Sequence, residues 1–191
     1  MPTDPLLVIR PADASDAREI ADIYNEAIAT TTATFDTEPK SVEDREHWIA
    51  AHDERHPVLV AECAGAVVGY ASLTRWSDRR AYDETAETSF YVRSTHRRQG
   101  VGRKLKEATI TCARQLGFHT LIARVAEGNE ASLHINQSMG FGFVGTLREV
   151  GYKFGRRLDV HILQLILNEQ SGETRDECED APAANAAGHI A

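Results

Sequence analysis

Apolar positions along the chain change their spacing several times, and each change marks an element. Leu6–Arg10 is a short apolar run closed by Pro11 and reads as a first strand. Asp13 or Ser15 can cap a helix running to about Ala29, because Ala17, Ile20, Ala21, Tyr24, Ala27 and Ile28 then share one face. The Thr-rich stretch TTTATFDTEP is a loop. Ser41 opens a second helix, with Asp44 completing an S-x-x-D capping pattern and Trp48 turned inward. From Val58 the pattern changes to β: VLVAEC after Pro57, a turn at Ala64-Gly65, and AVVGYASLTRW predict a hairpin. Residues 77–85 are polar and loop-like. AETSFYV is a further strand, with Phe90 and Val92 on one face and Glu87, Ser89 and Tyr91 on the other.

A glycine turn, RRQGVG, leads into a helix over about Val101–Leu116 that Gly117 ends. FHTLIARVA is a strand, NEASLHINQSM a short helix, and FGFVGTLREVGYKFGRRLDVHILQLIL two final strands. The order β-α-α-β-β-β-α-β-α-β-β predicts an α/β (α+β) fold, a mixed sheet with helices on both faces, in a single domain over 1–168. Residues 169–191 carry scarcely an apolar cluster and are expected to be a disordered tail. There is no internal repeat.

Composition narrows the partners. With 191 residues and 42% hydrophobic positions, the chain can bury one core. A formal charge of −8 argues against a nucleic-acid partner, which calls for surplus Lys and Arg. Within residues 93–106, however, Arg93, Arg97, Arg98, Arg103, Lys104 and Lys106 stand without an acid among them. A basic island in an acidic protein suits a small anionic ligand. Cys63, Cys112 and Cys178 have no ligand-like spacing, and the histidines form no metal-binding pattern, so no metal is expected. No apolar run approaches the roughly 20 residues of a membrane span, and the N-terminus lacks a secretory signal's basic and apolar regions. A reduced, cytoplasmic protein with no membrane partner is the expectation.

The chemistry concentrates at Arg97-Arg98-Gln99-Gly100-Val101-Gly102, between a strand and a helix. Glycine lets the backbone approach an anion closely, and the first amides of the next helix lack internal partners. Together with the helix dipole they can hold a diphosphate. An ordinary strand-to-helix turn would have the same residues, so the turn alone does not decide. It is neither a Walker loop nor a GxGxxG fingerprint.

Strand, then R-x-x-G-x-G, then helix resembles the acetyl-CoA loop of the GNAT superfamily of N-acetyltransferases. Asn129-Glu130-Ala131-Ser132, closed by Met139-Gly140-Phe141, resembles that superfamily's second cofactor motif. IYNEAIATTTATFDTEP, RRAYDETAETSFYV and GTLREVGYKFGRRLDV narrow the resemblance to the phosphinothricin and methionine sulfoximine/sulfone acetyltransferase branch, over residues 8–167. The resemblance implies a GNAT fold whose central sheet is splayed in a V, with a bulge near Phe90, Tyr91 and Val92, whose backbone pairs with the pantetheine arm. It implies acetyl-CoA as cosubstrate, contacted by Phe90, Tyr91, Val92, Arg97, Arg98, Gln99, Gly100, Val101, Gly102, Arg103, Asn129, Ser132 and Asn136. It also implies a small amino-acid-like amine as acceptor and a homodimeric assembly to which GYKFGRRLDV contributes.

Acetyl transfer to an ammonium needs a proton acceptor, a donor for the charge developing on the thioester oxygen, and a stabilised leaving thiolate. Glu87 matches the family glutamate and is the expected water-assisted base; a backbone amide around Tyr91 is the expected oxyanion donor. Phe35, Arg79 and Tyr82 match the branch's acceptor pocket, and Arg75 can add charge. Two departures stand out. Ser77 replaces a lysine of the phosphinothricin enzymes, which favours methionine sulfone or sulfoximine over phosphinothricin. Asn136 occupies the position of the family's histidine in the helix after Asn129, and His134 lies about 200° around that helix from it. Two alternatives stay open: an acetyltransferase of protein N-termini or lysines, and a non-catalytic acetyl-CoA sensor.

Overall fold

The computed structural model describes residues 7–167. The expected tail, Cys178 and the start of the first strand at Leu6 lie outside the described residues. The elements follow the predicted order: β1 (Leu7–Pro11), α1 (Ala17–Thr30), α2 (Val42–Ala50), β2 (Val58–Cys63), β3 (Ala66–Arg75), β4 (Thr85–Val92), α3 (Val101–Gln115), β5 (Thr120–Ala126), α4 (Glu130–Ser138), β6 (Gly142–Lys153) and β7 (Arg156–Ile166). Capping fixes where the first two helices begin. Asp13 closes a capping box with Asp16 on a 3-10 turn that runs into α1. Ser41 and Asp44 bond each other's backbone N–H at 3.0 and 3.1 Å at the start of α2.

The seven strands form one sheet in the order β1-β2-β3-β4-β5-β7-β6, antiparallel except between β4 and β5. α1 and α2 cover one face, where Ile20, Ile23, Val60 and Tyr70 pack together. α3 covers the other, with Leu105 and Val101 against Ala61, Val68 and Ala71. Leu133 and Met139 bring α4 to that same side, beside the cluster around Ile110, Phe118 and Leu163.

The sheet opens at its one parallel seam. β4 pairs with β5 only at Thr85, Ala86 and Glu87, opposite Thr120, Leu121 and Ile122. Beyond that rung each strand follows its other neighbour: β4 stays in register with β3 from Ala86 to Val92, and β5 with β7 from Thr120 to Ala126. The V is therefore a fork between two antiparallel half-sheets. The bulge expected near Phe90, Tyr91 and Val92 is absent, since Gly69–Arg75 oppose Ala86–Val92 one for one. Register shifts fall instead between Ala61 and Glu62 against β3, and twice along β6. Splaying here needs no inserted residue because the parallel pairing simply stops after three rungs.

Candidate active site

The fork opens a cleft of about 540 Å³ that reaches both faces of the sheet. Its floor and walls come from β4 (Glu87 to Tyr91), β5 (Ala123, Arg124, Ala126), α4 with its cap (Asn129, Ser132, Asn136) and the loop at 32–35. Leu147 and Val150 of β6 also line it; between them Glu149 takes φ 54° at the second register shift.

Backbone direction in β4 can be read from its ends. Glu84 O accepts from Thr120 N at 3.1 Å, toward β5, while Arg93 N donates to Val68 O at 2.9 Å, toward β3. Peptide groups alternate along a strand, so even-numbered residues face the fork. Past the last rung with β5, Phe90 and Val92 turn N–H and C=O into the open seam, and Tyr91 turns its own toward β3. Of the amides around Tyr91, that of Phe90 is the one that faces the seam. Side chains alternate the other way: Thr88 and Phe90 face α3, and Glu87, Ser89 and Tyr91 face α1.

On the α1 side the cleft is aromatic. Tyr70 and Tyr91 stack with ring centroids 5.2 Å apart, and Tyr24 meets Tyr91 edge-on at 5.1 Å. The Tyr24 hydroxyl bonds Thr34 Oγ1 at 2.8 Å and donates to Asp36 at 3.0 Å. Burial raises the pKa of all three phenols, so they stay neutral at physiological pH. Arg45 lies over the Tyr24 and Trp48 rings, 5.1 Å from each centroid, and its buried Nε has no partner. The loop carrying Phe35 is pinned by Lys153, whose Nζ donates to Thr31 O at 2.9 Å and Thr34 O at 2.8 Å. Gly151 supports the same loop from β6, since a Cβ there would overlap the Phe35 ring.

Glu87 sits at the last rung before the fork, 19% exposed, and accepts from Arg124 Nε at 2.6 Å across the seam. Of the ionisable residues lining the cleft — Tyr24, Arg45, Tyr70, Glu87, Tyr91 and Arg124 — it is the only carboxylate.

The glycine turn has the geometry of an anion site. Gly100 caps α3 in the left-handed region, φ 82°, with no side-chain cap. The first helical bond runs from Lys104 N to Gly100 O at 3.0 Å, which leaves the amides of Val101, Gly102 and Arg103 without acceptors in the helix. Arg97, Arg98, Gln99 and Arg103 are exposed around it. Arg97 Nε donates to Val92 O at 3.1 Å, and Arg103 reaches Ser138 of α4 at 3.2 Å. Gly102 lies under the Phe90 ring, 3.2 Å from where a Cβ would stand. In α4, Asn129 accepts from Ser132 N at 3.3 Å as the cap. Asn136 is buried and donates to Ser132 O at 2.9 Å, while its Oδ1 has no partner. His134 is exposed, as the helix count requires.

Arg75, Arg79 and Tyr82 do not line the cleft. Arg75, the last residue of β3, and Arg79 and Tyr82 in the segment after it are exposed, and Arg75 meets Asp83 at 3.7 Å. Arg45, Arg124, Tyr24 and Tyr70, by contrast, line the cleft although no motif in the sequence marks them. Arg45 is one turn before Trp48 on the inner face of α2, a spacing that could have exposed it. Arg124 could not be placed without knowing that β5 lies beside β4. Among the described residues no group of His, Cys, Asp and Glu could hold a metal ion, and no helix is long and apolar enough to cross a membrane.

A sheet forked at one parallel seam, with an anion-binding helix start at its mouth and a lone carboxylate at its base, defines an acyl-CoA-dependent transferase. The chain belongs to the GNAT acetyltransferase family: its residues 9–162 match the acetyltransferase (GNAT) domain. It is 39% identical over 162 residues to the L-methionine sulfoximine/L-methionine sulfone acetyltransferase of Pseudomonas paraeruginosa, covering 84% of this chain and 94% of the relative. It is 36% identical over 156 residues to the phosphinothricin N-acetyltransferase of Streptomyces viridochromogenes, covering 82% and 85%. A putative acetyltransferase from Salmonella typhimurium, solved with acetyl-CoA, superposes with TM-score 0.82 at 36% identity, covering 89% of this chain and 99% of that one. The protein is an N-acetyltransferase and acetyl-CoA is its acyl donor. The free amides at α3 and the unpartnered Asn136 Oδ1 fit that donor's diphosphate and amide groups.

Proposed function

We propose that the protein acetylates the α-amine of a small amino-acid-like substrate of the methionine sulfone or sulfoximine type, with Glu87 as water-assisted base. The observation that carries this reading is the cleft's single carboxylate standing at the base of the fork. Bound acetyl-CoA supplies an activated acyl carbon and a thiolate leaving group. Glu87 draws the ammonium into the cleft and removes a proton through water, Arg124 holding its carboxylate at the seam. The Phe90 N–H, free of any strand partner, donates to the oxygen on which charge develops. Asn129, Ser132 and Asn136 position the pantetheine arm, and residues 97–103 the diphosphate. Arg45, with no acid paired to it, meets the substrate's oxygens between aromatic walls that suit its carbon chain. Phe35 closes the same pocket, while Arg75, Arg79 and Tyr82, exposed outside the cleft at and after the end of β3, act on acceptors as they approach.

The test is a free-thiol assay with acetyl-CoA over a panel of amino-acid analogues. Higher kcat/KM for methionine sulfone or sulfoximine than for phosphinothricin is expected, and Ser77→Lys should move the ratio toward phosphinothricin. A wild-type preference for phosphinothricin would refute the role given to Ser77.

The protein also acts as a cytoplasmic homodimer in this reading. Edge strand β6 exposes Phe143, Val144, Leu147, Val150 and Tyr152, an apolar edge that a lone sheet would leave open to water. Sedimentation should give a dimer that Tyr152→Glu with Val144→Glu dissociates; a wild-type monomer at micromolar concentration speaks against it.

A further inference from the structure

Below the fork, on its α3 side, lies a lysine with no part in the steps above. Lys106 is 1% exposed. Among the described residues no carboxylate faces it from any element packed around it. Glu87 is on the opposite face of β4 and bound to Arg124, and Glu107, next on α3, is exposed and paired with Arg103 at 3.6 Å. Phe141, just before β6, presents its ring, whose centroid is 4.1 Å from Nζ. Burial pushes the Lys106 ammonium down to about 7. A buried unpaired amine costs stability that a Leu or Met of similar volume would not, so packing gives no reason for a lysine here.

Its one hydrogen bond points to a use. Lys106 Nζ donates to Thr88 Oγ1 at 3.4 Å. That oxygen is then an acceptor, and its own proton remains to be given. Thr88 is the first β4 residue past the last rung with β5, and it lines the cleft. On the other side of the seam α4 offers Asn136, which has no proton to transfer.

We propose that Lys106, acting through the Thr88 hydroxyl, supplies the proton to the sulfur that leaves during acyl transfer. This rests on the reading of the cleft given above. As the amine's N–C bond forms and the acyl C–S bond breaks, the electron pair stays on sulfur. The Thr88 O–H gives sulfur its proton and Oγ1 takes one from Lys106. The amine loses two protons by way of Glu87 and water. One proton from solvent restores Lys106, so one is released net for each acetyl transferred. A donor that titrates near the working pH is the most effective kind.

The assignment is tested first without catalysis, by a carbon NMR titration of lysine side chains in the protein free of ligands. One lysine should titrate near pH 7, and Lys106→Met should remove that signal. In turnover, kcat should fall on the alkaline side as Lys106 loses its proton. Lys106→Met and Thr88→Val should abolish that limb and lower kcat at neutral pH by about tenfold or more. Thr88→Ser should recover most of what Thr88→Val loses. If Lys106→Met fails to fold, Thr88→Val reads the same limb. Unchanged kcat and pH profile in the variants, with Glu87→Gln inactive, would overturn the relay alone; full activity in Glu87→Gln would instead overturn the reading of the base. A Lys106 that titrates above pH 9 also overturns the relay.

Discussion

Glu87→Gln is expected to lower kcat by about 10²- to 10⁴-fold while leaving acetyl-CoA binding in place. The substitution is nearly isosteric, so the cleft keeps its shape, and the amide oxygen can still accept from Arg124. What disappears is the cleft's only carboxylate. Stability should change little, because the Arg124 end of the ion pair is 56% exposed and such pairs are worth roughly 0–1 kcal/mol. His134→Ala supplies the contrast: His134 is on the outer side of α4 and should cost little. Stopped-flow acetylation under saturating acetyl-CoA, with thermal melts of each variant, makes the comparison. Equal losses in Glu87→Gln and His134→Ala would mean that protons leave by α4 and not by β4.

The elements were legible because each announces itself locally. Apolar runs bounded by Pro57 and Ala64-Gly65 mark β2 and β3, alternation marks β4, and a capping box marks Ser41. The glycine turn was legible for the same reason: its chemistry is contained in six consecutive residues. The cleft was not, because it is made by pairings between segments remote in sequence. Glu87 meets Arg124, 37 positions later, only because β5 returns parallel to β4. Arg45 enters the site only because α2 packs over Tyr24 and Tyr70. Lys106 reads in sequence as one charge in the basic island of residues 93–106, whereas helix geometry buries it and leaves Arg103 and Lys104 in solvent. The bulge expected in β4 came from the resemblance alone and not from any residue in the strand. Phe90, Tyr91 and Val92 carry no glycine or turn signal, and the observed register is continuous. That continuity decides that the Phe90 amide, and not the Tyr91 amide, faces the seam.

Gly100→Val should abolish the thermal protection that acetyl-CoA confers. At a hundredfold excess over Kd a ligand specific to the native state stabilises by about 2.7 kcal/mol, so the loss is readily seen as a missing Tm shift. The cause is conformational and not steric. A Cβ at Gly100 meets nothing within 4 Å, so the folded chain can accommodate the added atoms. At φ 82°, however, a β-branched residue is strained by roughly 1–3 kcal/mol. The turn relieves that strain by moving toward negative φ, which swings the amides of Val101, Gly102 and Arg103 away from a common point. Three donors aimed together are what the helix start offers a diphosphate. Gly100→Ala, strained but not β-branched, should fall between wild type and Gly100→Val. Because Gly100 is exposed and outside the core, the ligand-free melting temperature should drop far less than the protection does. A folded Gly100→Val protein with an undiminished acetyl-CoA shift would place the diphosphate elsewhere, and Arg97, Arg98 and Arg103 would lose their assignment with it.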